Sequence, residues 1–392
     1  MRILMVHNKY LIRGGEDEST DTEIAALRNA GHHVEEYIVD NIELAKKSKL
    51  RIGLTAIWSW KAYKEVRMRL QNAEYDIVHV QNFFPILSPS VHYAAKRERV
   101  STVQTLRNFR LICVNGQFFR NGRVCQKCVG RVIPWPGVML GCYRQSKLQS
   151  LAVAGMLVFH RLRKTWRQQV DGFIVATPKV KAIMVDEGLQ SKKIFVKPNI
   201  VRPDPGSGES KGRYAIYVGR ISPEKGVETL LRAWSLAGVP KSLVIVGDGP
   251  LRENLMNRYR NLPNILWIGR KPLAEVYDQI RNADYLFFPS EWFESFGRTV
   301  VEAFACGTPV IVSNQTVASE FVREGETGYL FKSGDVCSLV SAINRIEEKL
   351  SSQNNMRSEA RKAFVAQFSE GTNVETLLDI YDKVMSSRTD TL

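Results

Sequence analysis

The stretch Tyr214-Ala215-Ile216-Tyr217-Val218-Gly219-Arg220-Ile221-Ser222-Pro223-Glu224-Lys225-Gly226-Val227 decides the fold. Five β-prone residues run into a turn of Gly, Ser and Pro, and the apolar spacing that follows over 227–237 predicts a helix. A strand feeding a helix through a short loop is the repeating step of a parallel sheet. The step recurs downstream. Residues 242–246 read as a strand ending in Gly247-Asp248-Gly249-Pro250, and 264–268, 285–289 and 309–313 as strands separated by helical stretches. Residues 336–350 and 374–386 read as outer helices.

The same alternation runs upstream. Residues 2–7, 34–39, 75–80, 101–106 and 172–176 read as strands, and 17–30 and 178–187 as helices. Between the halves, Pro203-Asp204-Pro205-Gly206-Ser207-Gly208 has the composition of a linker. The predicted class is therefore α/β: two doubly wound Rossmann-like domains facing across a cleft, with ligands at the carboxyl ends of the strands. The expected division is 1–202, carrying a Cys-rich insertion at 107–145, then 203–370. A final helix over 371–392 is expected to pack back towards the first domain.

Composition bounds the function. A chain of 392 residues, 44% apolar and 24% charged, has room for two ordinary domains. The opening apolar run Ile3-Leu4-Met5-Val6 is too short for a signal-peptide core and reads as a first strand, so a cytoplasmic location is expected. The net charge of +15 is unevenly spread: residues 1–200 hold 32 Lys and Arg against 16 Asp and Glu, and the rest 23 against 24. Residues 96–167 hold fifteen basic residues and one acidic one, Glu98. That asymmetry points to an anionic partner for the first half, be it nucleic acid, an anionic membrane surface or a phosphorylated lipid. No helix-turn-helix, zinc-finger or RRM signature accompanies the charge, which disfavours nucleic acid.

Two carboxylates carry the chemistry. Glu294 ends a turn-prone run from Pro289, and Glu302 lies eight positions on, inside the helical run Thr299-Val300-Val301-Glu302-Ala303-Phe304-Ala305. Such a pair can hold one ligand in three places. Glu294 would bond hydroxyls, the amides of Ser295, Phe296, Gly297 and Arg298 would face phosphates, and Glu302 would bond a ribose diol. Upstream, Arg220 offers a planar five-donor fork suited to a diphosphate, and Lys225 a flexible point charge. Each alone could be a surface charge, and Glu294 alone a helix cap. Together they describe a nucleotide-sugar site.

With these residues the chain resembles the retaining glycosyltransferases of family 4, which have the GT-B fold. The strings YVGRISPEKGVETLLRAW, LVIVGDGPLRENL, NILWIGRKPLAEVYDQIRNADYLFFPS and ESFGRTVVEAFACGTPVIVS are similar to that family's signature blocks, in order. The resemblance implies that Arg220 and Lys225 bind the donor diphosphate, with the Gly247 loop beside them. It implies that Glu302 binds the ribose and Glu294 the donor sugar, and that Arg270, in Gly269-Arg270-Lys271-Pro272, lies beside the base. It further implies that the loop Gly14-Gly15-Glu16 faces phosphates and acceptor, and that catalysis needs no metal. The acceptor implied is a lipid-diphosphate-linked glycan in cell-surface polysaccharide synthesis, met at the inner face of the cell membrane. An epimerase or phosphorylase on the same fold is the nearest alternative, and a nucleic-acid-binding protein the alternative of another class.

Three features stand outside that pattern. Many relatives carry a histidine where this chain has Arg107, whose guanidinium has no acceptor and is expected to grip a phosphate instead. Cys113, Cys125, Cys128 and Cys142 include a C-x2-C pair and could form a structural zinc site, free buried thiols or disulfides. Cys306 and Cys337 read as ordinary core or helix residues. Finally, Ile57, Trp58, Trp60 and Tyr63 interleave with Arg51, Lys61, Lys64, Arg67 and Arg69. That stretch is either a membrane-surface helix or one packing its aromatics inward.

Overall fold

The computed structural model describes residues 1–11, 14–41, 49–208, 213–262, 264–352 and 355–389. It divides into two units. The first comprises Met1–Phe118, Gln126–Ile200 and Glu370–Leu392, the second Phe119–Cys125 and Val201–Ser369.

In chain order the first half runs β1 (Arg2–Lys9), α1 (Gly15–Asn29), β2 (His33–Asp40), α2 (Lys49–Ile57), α3 (Trp60–Asn72), β3 (Ile77–Asn82), α4 (Ser90–Arg97) and β4 (Ser101–Leu106). A short antiparallel hairpin follows, β5 (Phe119–Arg120) with β6 (Arg123–Val124). Then come α5 (Trp135–Met139), α6 (Lys147–Leu162), α7 (Thr165–Gln168), β7 (Gly172–Val175), α8 (Pro178–Asp186) and β8 (Ile194–Val196). The sheet order is β2-β1-β3-β4-β7-β8, parallel throughout. β3, β4 and β7 are buried along their whole length, because helices cover both faces. The order reverses between β1 and β3, so the loops after those two strands flank the switch point.

The second half runs β9 (Tyr214–Val218), α9 (Val227–Ala237), β10 (Ser242–Val246), α10 (Arg252–Arg258), β11 (Ile265–Gly269), α11 (Leu273–Asn282) and β12 (Tyr285–Phe288). It continues with α12 (Arg298–Ala305), β13 (Val310–Ser313), β14 (Gly328–Phe331), α13 (Val336–Ser352), α14 (Met356–Gln367) and α15 (Glu370–Thr389). Its parallel sheet has the order β11-β10-β9-β12-β13-β14, with the switch point between β9 and β12. Trp234, Tyr285, Phe287, Leu230 and Ile343 fill one core layer against this sheet.

One segment differs from its sequence reading. The residues read as a linker are pinned to the second unit. Arg361 pairs with Asp204 at 2.7 Å, Arg281 donates to the Pro205 carbonyl at 2.7 Å, and Arg357 donates to that of Gly208 at 3.1 Å. Pro and Gly here shape a strap rather than a tether. Helix α15 belongs to the first unit, where Val374, Leu377, Ile380, Tyr381 and Val384 pack with Ile3, Val103 and Ile174.

A buried polar network closes that packing. Glu23 accepts from Lys197 at 2.7 Å, Lys197 also donates to Asn373 at 2.7 Å, and His79 bonds Tyr381 and Thr105 at 2.6 Å each. Burial alone would raise the Glu23 carboxyl, but Lys197, His79 and Arg107 hold it down to about 2.

Candidate functional site

Carboxyl-end loops of β9, β10 and β11 are laced together by backbone bonds. Gly219 N–H donates to the Val246 carbonyl at 3.0 Å, Ile221 N–H to Asp248 at 2.9 Å, and Gly247 N–H to Gly269 at 2.9 Å. Gly247 has φ +141, and a Cβ there would lie 1.9 Å from the Gly219 carbonyl oxygen, so no side chain fits. That closeness holds Arg220, exposed on the β9 loop, and Arg270, exposed just after β11, at the carboxyl edge of the same sheet.

The β12 loop supplies the acid. The Glu294 carboxylate receives the Lys225 ammonium, the Ser290 hydroxyl at 3.1 Å and the Trp292 indole N–H at 2.8 Å. Glu294 is 7% exposed. The Lys225 ammonium also lies 5.3 Å from the centre of the Trp292 ring and 6.0 Å from that of Phe288, where the ring faces attract it. Phe119, from the β5–β6 hairpin, meets Trp292 edge-on at 6.2 Å.

Gly297 then turns the chain into α12 at φ +83, with no side chain capping the helix start. The amides of that first turn carry the positive end of the helix dipole. Two turns along, Glu302 accepts from Arg298 Nε at 2.8 Å and is 6% exposed. The buried Tyr277 hydroxyl has its pKa raised by burial and by the Glu302 charge. The second unit thus carries Arg220, Lys225, Glu294, Ser295, Phe296, Gly297, Arg298 and Glu302 on the segments that follow β9 and β12, which flank the switch point, and Gly247 and Arg270 after the neighbouring β10 and β11.

In the first unit, Glu16 is already engaged. It accepts from the Tyr10 hydroxyl and from Asn108 Nδ2, both at 2.8 Å. Beside it Asp17 accepts from His7 at 2.8 Å and from Gly14 N–H at 3.2 Å. Burial would raise Asp17, but these bonds hold its carboxyl below the ordinary range. Gly14 and Gly15 start α1 at the carboxyl end of β1. Arg107 differs from its expected role as a phosphate grip. It is 8% exposed and its guanidinium turns inward to Gln81 and to Glu23, the latter at 3.9 Å, because a buried carboxylate draws it in.

The cysteines are all free thiols. Cys113 donates to Asn115 at 2.9 Å, and the Cys128 thiol, raised by burial and then by Cys113 and Cys142, turns to the Pro134 carbonyl at 4.0 Å. Among the described residues no group of three or more His, Cys, Asp or Glu is arranged to hold a metal ion. Cys306 is buried and Cys337 exposed. In the aromatic, basic stretch, Arg67 pairs with Glu98 and Arg69 with Glu35 and Glu65, while Arg51, Lys61 and Lys64 are exposed. No helix among the described residues is long and apolar enough to cross a membrane.

Sequence reasoning missed Ser290, Trp292, Tyr10 and Asn108, which hold Glu294 and Glu16. Only Trp292 left a signal, as an aromatic two positions before a loop carboxylate.

Residues 204–363 match the family model described as Glycosyl transferases group 1. The chain is 30% identical over 221 residues to a phosphatidyl-myo-inositol mannosyltransferase of Mycobacterium leprae, covering 53% of this chain and 57% of that protein. It spans about half the length of the curated relatives it matches. Among solved structures, Anabaena Alr3699/HepE in complex with UDP superposes with a TM-score of 0.68 at 17% identity, covering 97% of this chain and 99% of that one. Sucrose-phosphate synthase from Thermosynechococcus elongatus gives 0.71 at 18%, covering 98% and 99%. At such identities the likeness establishes the fold, and that fold is GT-B.

Proposed function

We propose that this chain, whose residues 204–363 belong to the group 1 glycosyl transferases, moves a sugar from a nucleoside diphosphate sugar to a glycan acceptor with retention at the transferred carbon. The observation that carries the reading is the Lys225–Glu294 pair at the switch point, beside an uncapped helix start that bears Glu302 two turns further on. Arg220 and Lys225 take the diphosphate, Glu302 the ribose and Glu294 the hydroxyls of the sugar. Arg270 lies by the base, and the Gly247 loop and the amides from Ser295 to Arg298 line the phosphate path.

As the glycosidic bond to the donor breaks, negative charge gathers on the departing diphosphate. Two cations and a helix start answer that charge without a metal ion. The new bond forms on the face the diphosphate leaves, so no enzyme carboxylate is required as nucleophile. Complexes of a structural relative with UDP and with UDP-glucose support a nucleoside diphosphate sugar as donor.

The acceptor we propose is a lipid-diphosphate-linked glycan at an anionic membrane surface, with the Gly14-Gly15-Glu16 loop on its side of the reaction. Leu148, Leu151 and Leu162 support this reading, standing exposed on one face of α6 in the strongly basic segment 96–167. The test is mass spectrometry of products formed from a lipid-linked acceptor extract and a panel of nucleotide sugars. One added hexose mass with one donor, persisting in chelator, is expected. Release of free sugar or of an epimerised nucleotide sugar as the sole product overturns it.

A further inference from the structure

The aromatic stretch that the donor site does not use builds a second feature. Trp58, Trp60, Tyr63 and Tyr93 line an open depression of about 330 Å³ whose remaining walls are Lys96, Arg97 and Gln169. Trp58 is its hub: its ring meets Trp60 at 5.5 Å, Tyr63 at 6.0 Å and Tyr93 at 5.0 Å. Trp60 stands 64% exposed, and the buried indole N–H of Trp58 has no hydrogen-bond partner.

This depression lies at the amino ends of β4 and β7. Lys96 and Arg97 end α4, four residues before β4 begins, and Gln169 precedes β7. Arg107 and Glu16 lie at the carboxyl ends of the same sheet, so the length of β4, roughly 20 Å, separates the two.

Its lining chooses the ligand. Aromatic ring faces are electron-rich and attract the weakly positive C–H face of a pyranose ring, while the Gln169 amide and the cations Lys96 and Arg97 in the lining can bond hydroxyls. No Leu, Ile, Val or Met lines it, which is unsuited to an acyl chain. Arg97 is exposed; Lys96 is half-exposed with Asp171 at 3.5 Å, and Arg67, over the Tyr63 ring at 5.7 Å, is paired with Glu98. The rim is therefore net positive. We infer that this depression is a second carbohydrate site, which binds an anionic glycan such as a hexuronate chain, independently of the donor site.

The test is calorimetric titration of the full chain with tri-galacturonate, with maltotriose as the neutral probe and phosphatidylglycerol-containing vesicles as the third arm. Tri-galacturonate is expected to bind and to shift tryptophan emission. Trp60→Ala should weaken it about tenfold, the order of a lost aromatic contact, with Trp60→Phe recovering part. Lys96→Gln with Arg97→Gln should bring its affinity down to that of maltotriose. Lys225→Ala should bind it as the unaltered protein does, which keeps this result separate from the donor-site reading. Trp60 is exposed, so an unchanged melting temperature is expected and is checked alongside. The inference is overturned by absent tri-galacturonate binding, by binding that survives Trp60→Ala, or by emission shifts with vesicles and not with the oligosaccharide.

Discussion

Lys225 and Glu294, 69 residues apart in the chain, form an ion pair at the switch point of the second sheet, with Ser290 and Trp292 donating to the same carboxylate oxygen. The pair joins the cation proposed to meet the diphosphate to the anion proposed to meet the sugar hydroxyls, and each holds the other in place. Lys225→Ala should weaken nucleoside diphosphate binding by about 1.5–3 kcal/mol, the scale of a charge-assisted hydrogen bond. The melting temperature should fall as well, since the 7% exposed Glu294 carboxylate loses its cation, so affinity is measured at a temperature where the variant is folded. Calorimetry with unchanged affinity would remove Lys225 from the donor site.

Gly247→Ala tests the lacing of the loops. A methyl group 1.9 Å from the Gly219 carbonyl must push the β9 and β10 loops apart. A loss of about 2 kcal/mol or more of stability is expected from that strain, together with weakened donor binding. Denaturant melts that match the unaltered protein would refute the close approach.

Much of this was legible in advance. The central strands β3, β7, β9, β12 and β13 were readable because they are mostly buried and rich in β-branched and aromatic residues. β8, at three residues, is too short to carry such a signal, and β14 has no counterpart in the sequence reading. The placement of Arg220, Lys225 and Glu294 after strand ends, and of Glu302 inside the following helix, was readable because strand, turn and helix signals follow one another closely there. Arg107 was not, since its direction is set by Glu23 and Gln81, 84 and 26 residues away. Nor was the Pro203–Gly208 strap, whose anchors Arg281, Arg357 and Arg361 lie far along the chain.

The network that receives α15 should be brittle. Glu23→Gln would leave the Lys197 ammonium buried without its charge partner, at a cost of about 3–5 kcal/mol. Urea melts should register that loss, and a variant as stable as the original would contradict the network.

Stability should also fall in mild acid. Burial lowers His79, His92 and His160 to about 4 each, below the ordinary 6.5. The unfolded chain takes up these protons first, so stability is fully present above pH 6.5 and is lost as pH falls towards 4. Each histidine contributes a slope of about 1.4 kcal/mol per pH unit across that window. Glu23, held down to about 2, adds a further loss below its ordinary 4.5. Thermal melts from pH 7 to 4 should show the decline, and a flat profile would contradict it.

Lys61→Gln with Lys64→Gln should loosen the protein from anionic vesicles while leaving its fold intact, because neither lysine is among the ion-paired residues of α3. Each exposed cation near such a surface contributes on the order of 1 kcal/mol, screened by salt. Co-sedimentation indifferent to both salt and the double substitution would make a soluble acceptor the better choice.

The assignment of the two carboxylates is the centre of the account, and one titration tests it most directly. A nucleoside diphosphate is titrated into the unaltered protein, Glu302→Ala and Glu294→Gln, with turnover followed in the same preparations. Glu302→Ala should weaken binding about tenfold or more, the loss of a charged bond to the ribose. Glu294→Gln should bind nearly as before yet turn over far more slowly, since its partner is the sugar. The opposite pattern, with the nucleotide lost in Glu294→Gln and kept in Glu302→Ala, would contradict the account.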